Sequence, residues 1–107
     1  YELDLAQNTV VVFMSDNGGH PNYSASGPLR GSKWNLYEGG IRVPLIVRWP
    51  GVVKPGATCA EPVTGCDLFP TMLEIAGTSD DGIERDGRSF VPLLKDARSF
   101  DRERPLV

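Results

Sequence analysis

Sulfur and imidazole are scarce in this chain, which holds two cysteines, Cys59 and Cys66, and one histidine, His20, among 107 residues. A disulfide scaffold needs more cysteines than that. If residues 59–66 are extended, seven steps of about 3.3 Å set the two sulfurs roughly 20 Å apart, so they read as two separate thiols. Structural zinc takes four Cys or His ligands, more than the chain can offer. Positive charge is short too. Eleven Lys and Arg against fourteen Asp and Glu leave a formal charge of −3, and nucleic acid and anionic membranes both require a basic face. Long apolar runs are missing: the longest, Val10-Val11-Val12-Phe13-Met14, falls far short of the ~20 residues that span a bilayer. No signal peptide is visible, which says nothing about the compartment of a longer parent. Nucleophile elbow, phosphate-binding P-loop and metalloprotease His pair are all absent.

What is present suits a packed domain. Hydrophobic residues make up 40% and charged residues 23%, and a chain of this length buries roughly 65% of its unfolded surface. Residues 1–7 read as the tail of a helix. Thr9 to Met14 reads as a strand without alternation, the pattern of a strand buried on both faces. Ser15 to Gly40 is a long Gly-, Ser-, Asn- and Pro-rich loop. Loops beyond about 12–15 residues are uncommon unless functional or disordered, which makes this segment the place to look for chemistry. Ile41 to Trp49 is a second apolar strand, with Pro44 marking an edge or a bulge. A short strand is expected over Glu61 to Thr64. Asp67 is placed to cap the next helix, Pro70 suits its first turn and Gly77 its end. Phe90 to Leu94 reads as a single helical turn, and Arg98 to Arg104 is a charged stretch. The fold class is therefore α/β, but two doubly apolar strands have only one amphipathic helix to cover them. Either a second copy supplies cover or the chain is part of a larger domain, and the second reading accounts for more.

Asp16 and Asn17 follow the first strand, where open α/β sheets bind ligands. Their side-chain oxygens suit calcium or magnesium, although a calcium shell takes six to eight oxygens. The competing reading is a tight turn at Asn17-Gly18. Lys33, flanked by small residues in the loop, is either a compact charge for an oxyanion or a solvated surface lysine. Arg42 is expected to pair with Glu38 at the loop's exit, and Arg30 is a further anion candidate. Any imidazole chemistry falls to His20, unless that ring is idle beside Gly19 and Pro21. Tyr23, Trp34 and Tyr37 either line a sugar or aromatic pocket or pack the loop onto the body.

The order of these signals is more specific than any one of them. Thr9–Met14 with Ser15-Asp16-Asn17-Gly18-Gly19, then Pro28-Leu29-Arg30-Gly31-Ser32-Lys33-Trp34, then Tyr37-Glu38-Gly39-Gly40-Ile41-Arg42-Val43-Pro44 resembles the later half of type I sulfatases. The likeness continues through Arg48-Trp49-Pro50-Gly51, Asp67-Leu68-Phe69-Pro70-Thr71 and Asp86-Gly87-Arg88-Ser89-Phe90. It spans nearly the whole chain, 1–107, as a single segment with an active-site loop at 15–40. Ser32-Lys33-Trp34-Asn35-Leu36 superficially resembles a different sulfatase signature from the first half, but its neighbours place Lys33 in the later motif.

The resemblance implies part of an alkaline-phosphatase-like domain, a mixed β-sheet sandwiched by helices and incomplete here. It implies hydrolysis of sulfate esters, sulfated carbohydrates among them, by a formylglycine made from a cysteine. It implies a calcium ion, or magnesium, with Asp16 and Asn17 among its ligands. Lys33 would contact the sulfate and the leaving oxygen as the catalytic cation, with His20 as a second substrate-binding group. A periplasmic, secreted or lysosomal-type compartment is the family's expectation. This sequence departs from the family in lacking the Cys-x-Pro-x-Arg motif: Cys59 precedes Ala60-Glu61-Pro62, and Cys66 precedes Asp67-Leu68-Phe69. The nucleophile is thus expected from a missing N-terminal half, and this piece alone is expected to be inactive. The alternatives are a phosphoesterase of the same superfamily, or a non-catalytic module that binds an anionic glycan or self-associates.

Overall fold

A computed structural model of the chain describes residues 3–78 and 82–96. They fall into two compact units, divided between Pro50 and Gly51. The expected charged stretch Arg98–Arg104 lies outside the described residues.

In the first unit the β-branched run after Thr9 becomes strand β1, Val11–Met14, and Leu45–Arg48 becomes β2. Both are shorter than expected. β2 starts only after Pro44, which has no N–H to give a ladder, and Ile41 belongs instead to a helical turn, α1, Glu38–Ile41. The strands pair antiparallel, Val11 with Arg48, Val12 with Val47, Phe13 with Ile46 and Met14 with Leu45. In place of the expected helix tail, Ala6–Asn8 forms a 3₁₀ turn, and the Arg48 guanidinium donates to the Ala6 carbonyl at 2.8 Å, tying that turn to β2.

The register decides which side chains share a face. Val12, Leu45 and Val47 are half-buried, whereas Val11, Phe13 and Ile46 on the opposite face are 47%, 60% and 60% exposed. The strands are therefore apolar on both faces without being covered on both. Each large apolar side chain left in water forfeits roughly 1.5–3 kcal/mol of possible burial energy. The isolated chain is expected to self-associate at micromolar concentration, read as a mass above one copy by light scattering. A cooperatively melting monomer that binds no hydrophobic dye would show that the open face is tolerated.

The second unit is built on a buried carboxylate. Gly65–Asp67 is a 3₁₀ turn leading into α2, Leu68–Ile75. Asp67 is 0% exposed. Its two carboxylate oxygens accept the N–H groups of Thr64 and of Arg88, each at 2.8 Å. Asp67 therefore closes a capping box with Thr64 on the 3₁₀ turn; although it stands at the N-cap of α2, its side chain makes no cap bond to that helix. Thr71 continues the network, its hydroxyl donating to the Asp67 carbonyl at 2.6 Å and accepting the Phe90 N–H at 3.0 Å. Gly87 runs so close to the Cys66 carbonyl that a Cβ there would collide with it. Phe90, Val91 and Leu93 are buried against this framework, the last two in α3, Val91–Lys95. The helix α2 ends as expected at Gly77, whose φ is +68. Gly77 donates to Glu74 and Thr78 donates back to Leu73, the paired bonds of a Schellman motif. Residues 61–64 form no strand; a run with strand composition needs a ladder partner, and none of the described residues pairs with it. Cys59 and Cys66 are exposed and not bridged to each other.

Candidate active-site loop

Asp16 and Asn17 sit in the turn directly after β1. The Ser15 hydroxyl donates to the Asn17 carbonyl at 2.8 Å, and the Asn17 amide nitrogen donates to the Gly18 carbonyl at 3.2 Å. That second bond fixes the amide's orientation and leaves its oxygen as the side chain's acceptor. Asp16 is exposed, and among the described residues no group donates to its carboxylate.

Three glycines join this turn to the distant end of the loop. The Gly18 N–H donates to the Gly40 carbonyl at 2.8 Å, and the Gly39 N–H to the Arg30 carbonyl at 2.8 Å. A Cβ at Gly18 would strike the Gly39 carbonyl, one at Gly39 the Gly31 carbonyl, and one at Gly40 the carbonyls of Ser32 and Asn35. Backbone meets backbone here, so only residues without a side chain fit. Between these contacts the Lys33 N–H donates to the Gly19 carbonyl at 2.9 Å. Lys33 is thereby held three residues along from Asp16 by a direct backbone bond, although the two are seventeen positions apart in the chain.

The tip is a tight turn. Asn35 donates its N–H to the Ser32 carbonyl at 2.9 Å, and its side-chain oxygen accepts the Ser32 N–H at 3.1 Å. Lys33 and Trp34 are the two central residues, and Trp34 has φ +76. A type II turn demands positive φ at that position and normally takes Gly there. The Lys33 ammonium lies 5.8 Å from the Trp34 ring centre, and among the described residues no carboxylate pairs with it.

His20 lies between two aromatic rings, 4.8 Å from Tyr23 and 5.0 Å, edge to face, from Trp34. The Asn22 N–H donates to His20 Nδ1 at 3.2 Å, so in the neutral ring the proton belongs on Nε2. His20 is thus brought to the same loop tip as Lys33. Tyr37 serves packing instead, with the Arg30 guanidinium 4.0 Å above its ring, which also occupies Arg30. Arg42 pairs with Glu38 at 3.2 Å, as expected, in an exposed i,i+4 bridge. Such a bridge contributes only a few tenths of a kcal/mol, roughly 0.3–0.5.

The donor set for a hard cation is partial. Asp16 and Asn17 offer two side-chain oxygens, and the described residues contain no group of three or more His, Cys, Asp or Glu that could hold a metal. An unpartnered carboxylate beside an oriented amide oxygen fits a share of a calcium or magnesium shell, with the other oxygens supplied from elsewhere.

The order of these loops is that of a known family. The family model described as Sulfatase matches residues 2–78. The chain belongs to the sulfatase family. This sulfatase segment is 42% identical to the steryl-sulfatase of Mus musculus, over 95% of the chain and 18% of that relative. It is 47% identical to the N-acetylglucosamine-6-sulfatase of Bos taurus over 87% of the chain and 16% of the relative. To the arylsulfatase A of Homo sapiens it is 38% identical, over 87% of the chain and 19% of the relative. The segment spans less than a fifth of the length of these curated relatives. Among its described residues no helix is long and apolar enough to cross a membrane.

Proposed function

We propose that this segment supplies the sulfate-binding cation and part of the metal shell of a sulfuric ester hydrolase whose nucleophile lies in another part of the domain. The observation that carries the proposal is the backbone bond from Lys33 to Gly19. It sets the Lys33 backbone beside the turn that presents Asp16 and Asn17, and among the described residues no carboxylate pairs with the Lys33 ammonium. In this reading the Lys33 ammonium donates to the sulfate and to the bridging oxygen, where negative charge grows as the S–O bond breaks. His20, with its proton on Nε2, donates a second hydrogen bond to the ester. Asp16 and Asn17 would give their oxygens to a calcium ion, with magnesium as the alternative. When bound, the ion would neutralise sulfate charge, and a formylglycine from another part of the domain would supply the nucleophile. An alkaline-phosphatase-like sheet would provide the cover that β1 and β2 lack. A periplasmic, secreted or lysosomal-type location accompanies this assignment.

The test is a comparison of leaving-group-matched esters with the full-length enzyme. Turnover of 4-nitrophenyl sulfate well above that of 4-nitrophenyl phosphate is the expected result. A preference for the phosphate would transfer the segment to the phosphoesterase branch of the superfamily.

A further inference from the structure

Trp34 combines two features that packing does not explain. It occupies the positive-φ position of a tight turn, φ +76, where a bulky side chain is an outlier held in place by its surroundings. It also leaves its ring 74% exposed, so the strained backbone is not repaid by burial. Instead the ring stands beside the Lys33 ammonium and meets the edge of the His20–Tyr23 pair. Tyr23 is likewise 86% exposed. Three aromatic rings, two of them open to solvent, thus cluster next to a cation with no carboxylate partner. Gly in place of Trp34 would relieve the turn, which makes the indole itself the feature to account for.

We infer that Trp34, with His20 and Tyr23, forms a stacking platform for the ring of the leaving group, next to the sulfate held by Lys33. The inference rests on the sulfate-ester reading and narrows it to esters that carry a ring with a flat apolar face. Aryl rings and the apolar faces of sugars share that chemistry. The indole and phenol offer large, rigid contact area at a small cost in rotamer entropy, with a polar edge left for neighbouring hydroxyls. Lys33 fixes the anionic end of the substrate, and the platform fixes its plane. His20 holds Trp34 and Tyr23 in one cluster while keeping Nε2–H as a donor.

The experiment uses the full-length enzyme and its Trp34→Ala and Trp34→Phe variants. It reads KM for 4-nitrophenyl sulfate and for a hexosamine sulfate, together with the inhibition constant of inorganic sulfate, which has no ring. Trp34→Ala is expected to raise KM for a ring ester on the order of tenfold, the scale of a lost aromatic contact plus its buried area. Trp34→Phe should recover most of that loss, and the sulfate constant should stay within about twofold. The ester with the larger rise in KM identifies the ring as aryl or sugar. If KM and the sulfate constant rise together, Trp34 merely holds the turn; if neither rises, no stacking takes place. Either result overturns the platform. A failure of the sulfate reading shows itself separately, as wild-type enzyme that neither hydrolyses these esters nor is inhibited by sulfate. Saturable quenching of tryptophan fluorescence by 4-nitrophenol, compared between wild type and Trp34→Ala, then decides the platform alone: quenching lost with Trp34 supports it, and quenching absent or unchanged overturns it.

Discussion

Replacing Lys33 by Ala in the full-length enzyme should lower kcat for an aryl sulfate about 10²–10³-fold, the usual loss when one donor to a developing oxyanion is removed. The physical reason is local. Lys33 is the first central residue of the Ser32–Asn35 turn, its backbone fixed to Gly19 and its ammonium without a carboxylate partner. Nothing in the loop competes for its charge, so removing it deprives the leaving oxygen and leaves the fold nearly untouched. Arg is not an equivalent replacement, because its planar fork needs more room than a compact ammonium on a short turn. Steady-state kinetics with a sulfate ester checks this. A Lys33→Ala enzyme with kcat within about threefold of wild type would place the sulfate elsewhere.

The 107-residue chain by itself should show no turnover of a sulfate ester, with or without added calcium. Hydrolysis through a covalent intermediate needs a nucleophile, and neither cysteine stands in the sequence setting that yields formylglycine: Cys59 is followed by Ala60-Glu61-Pro62 and Cys66 by Asp67-Leu68-Phe69. Release of 4-nitrophenol by the purified chain, abolished by Lys33→Ala, would mean that the chain contains a complete active site after all.

Much of the local layout could be read from residue type. The β-branched run ending at Met14 gives β1, the Asp-Asn pair lands in the turn beyond it, and Gly77 stops α2 through its positive φ. The family followed from the order of motifs, which needs no coordinates. What remained hidden depends on neighbours remote in sequence. Ile41 has strand chemistry, but the glycines before it are pressed against the carbonyls of residues 31, 32 and 35, and that close approach winds Glu38–Ile41 into a helical turn. Asp67 has cap chemistry, yet one of its partners, the Arg88 N–H, lies twenty-one residues away and draws the carboxylate off α2. Residues 61–64 have strand composition without a strand to pair with. Lys33 was legible as a candidate only through its motif; its tie to Gly19 is a backbone bond, to which side-chain identity is blind. Trp34 gave no sign of its positive φ, because a turn that demands Gly carries a Trp there.

A double-mutant cycle with Asp16→Ala and Lys33→Ala in the full-length enzyme, read as kcat/KM for 4-nitrophenyl sulfate, asks directly whether the two residues serve one sulfate. Groups acting as a unit on one transition state are strongly non-additive. The double variant is therefore expected to lose clearly less than the product of the two single losses. Single losses that multiply, to within about 0.5 kcal/mol of additivity, would show two independent sites and contradict the assignment of Asp16 and Lys33 to one active centre.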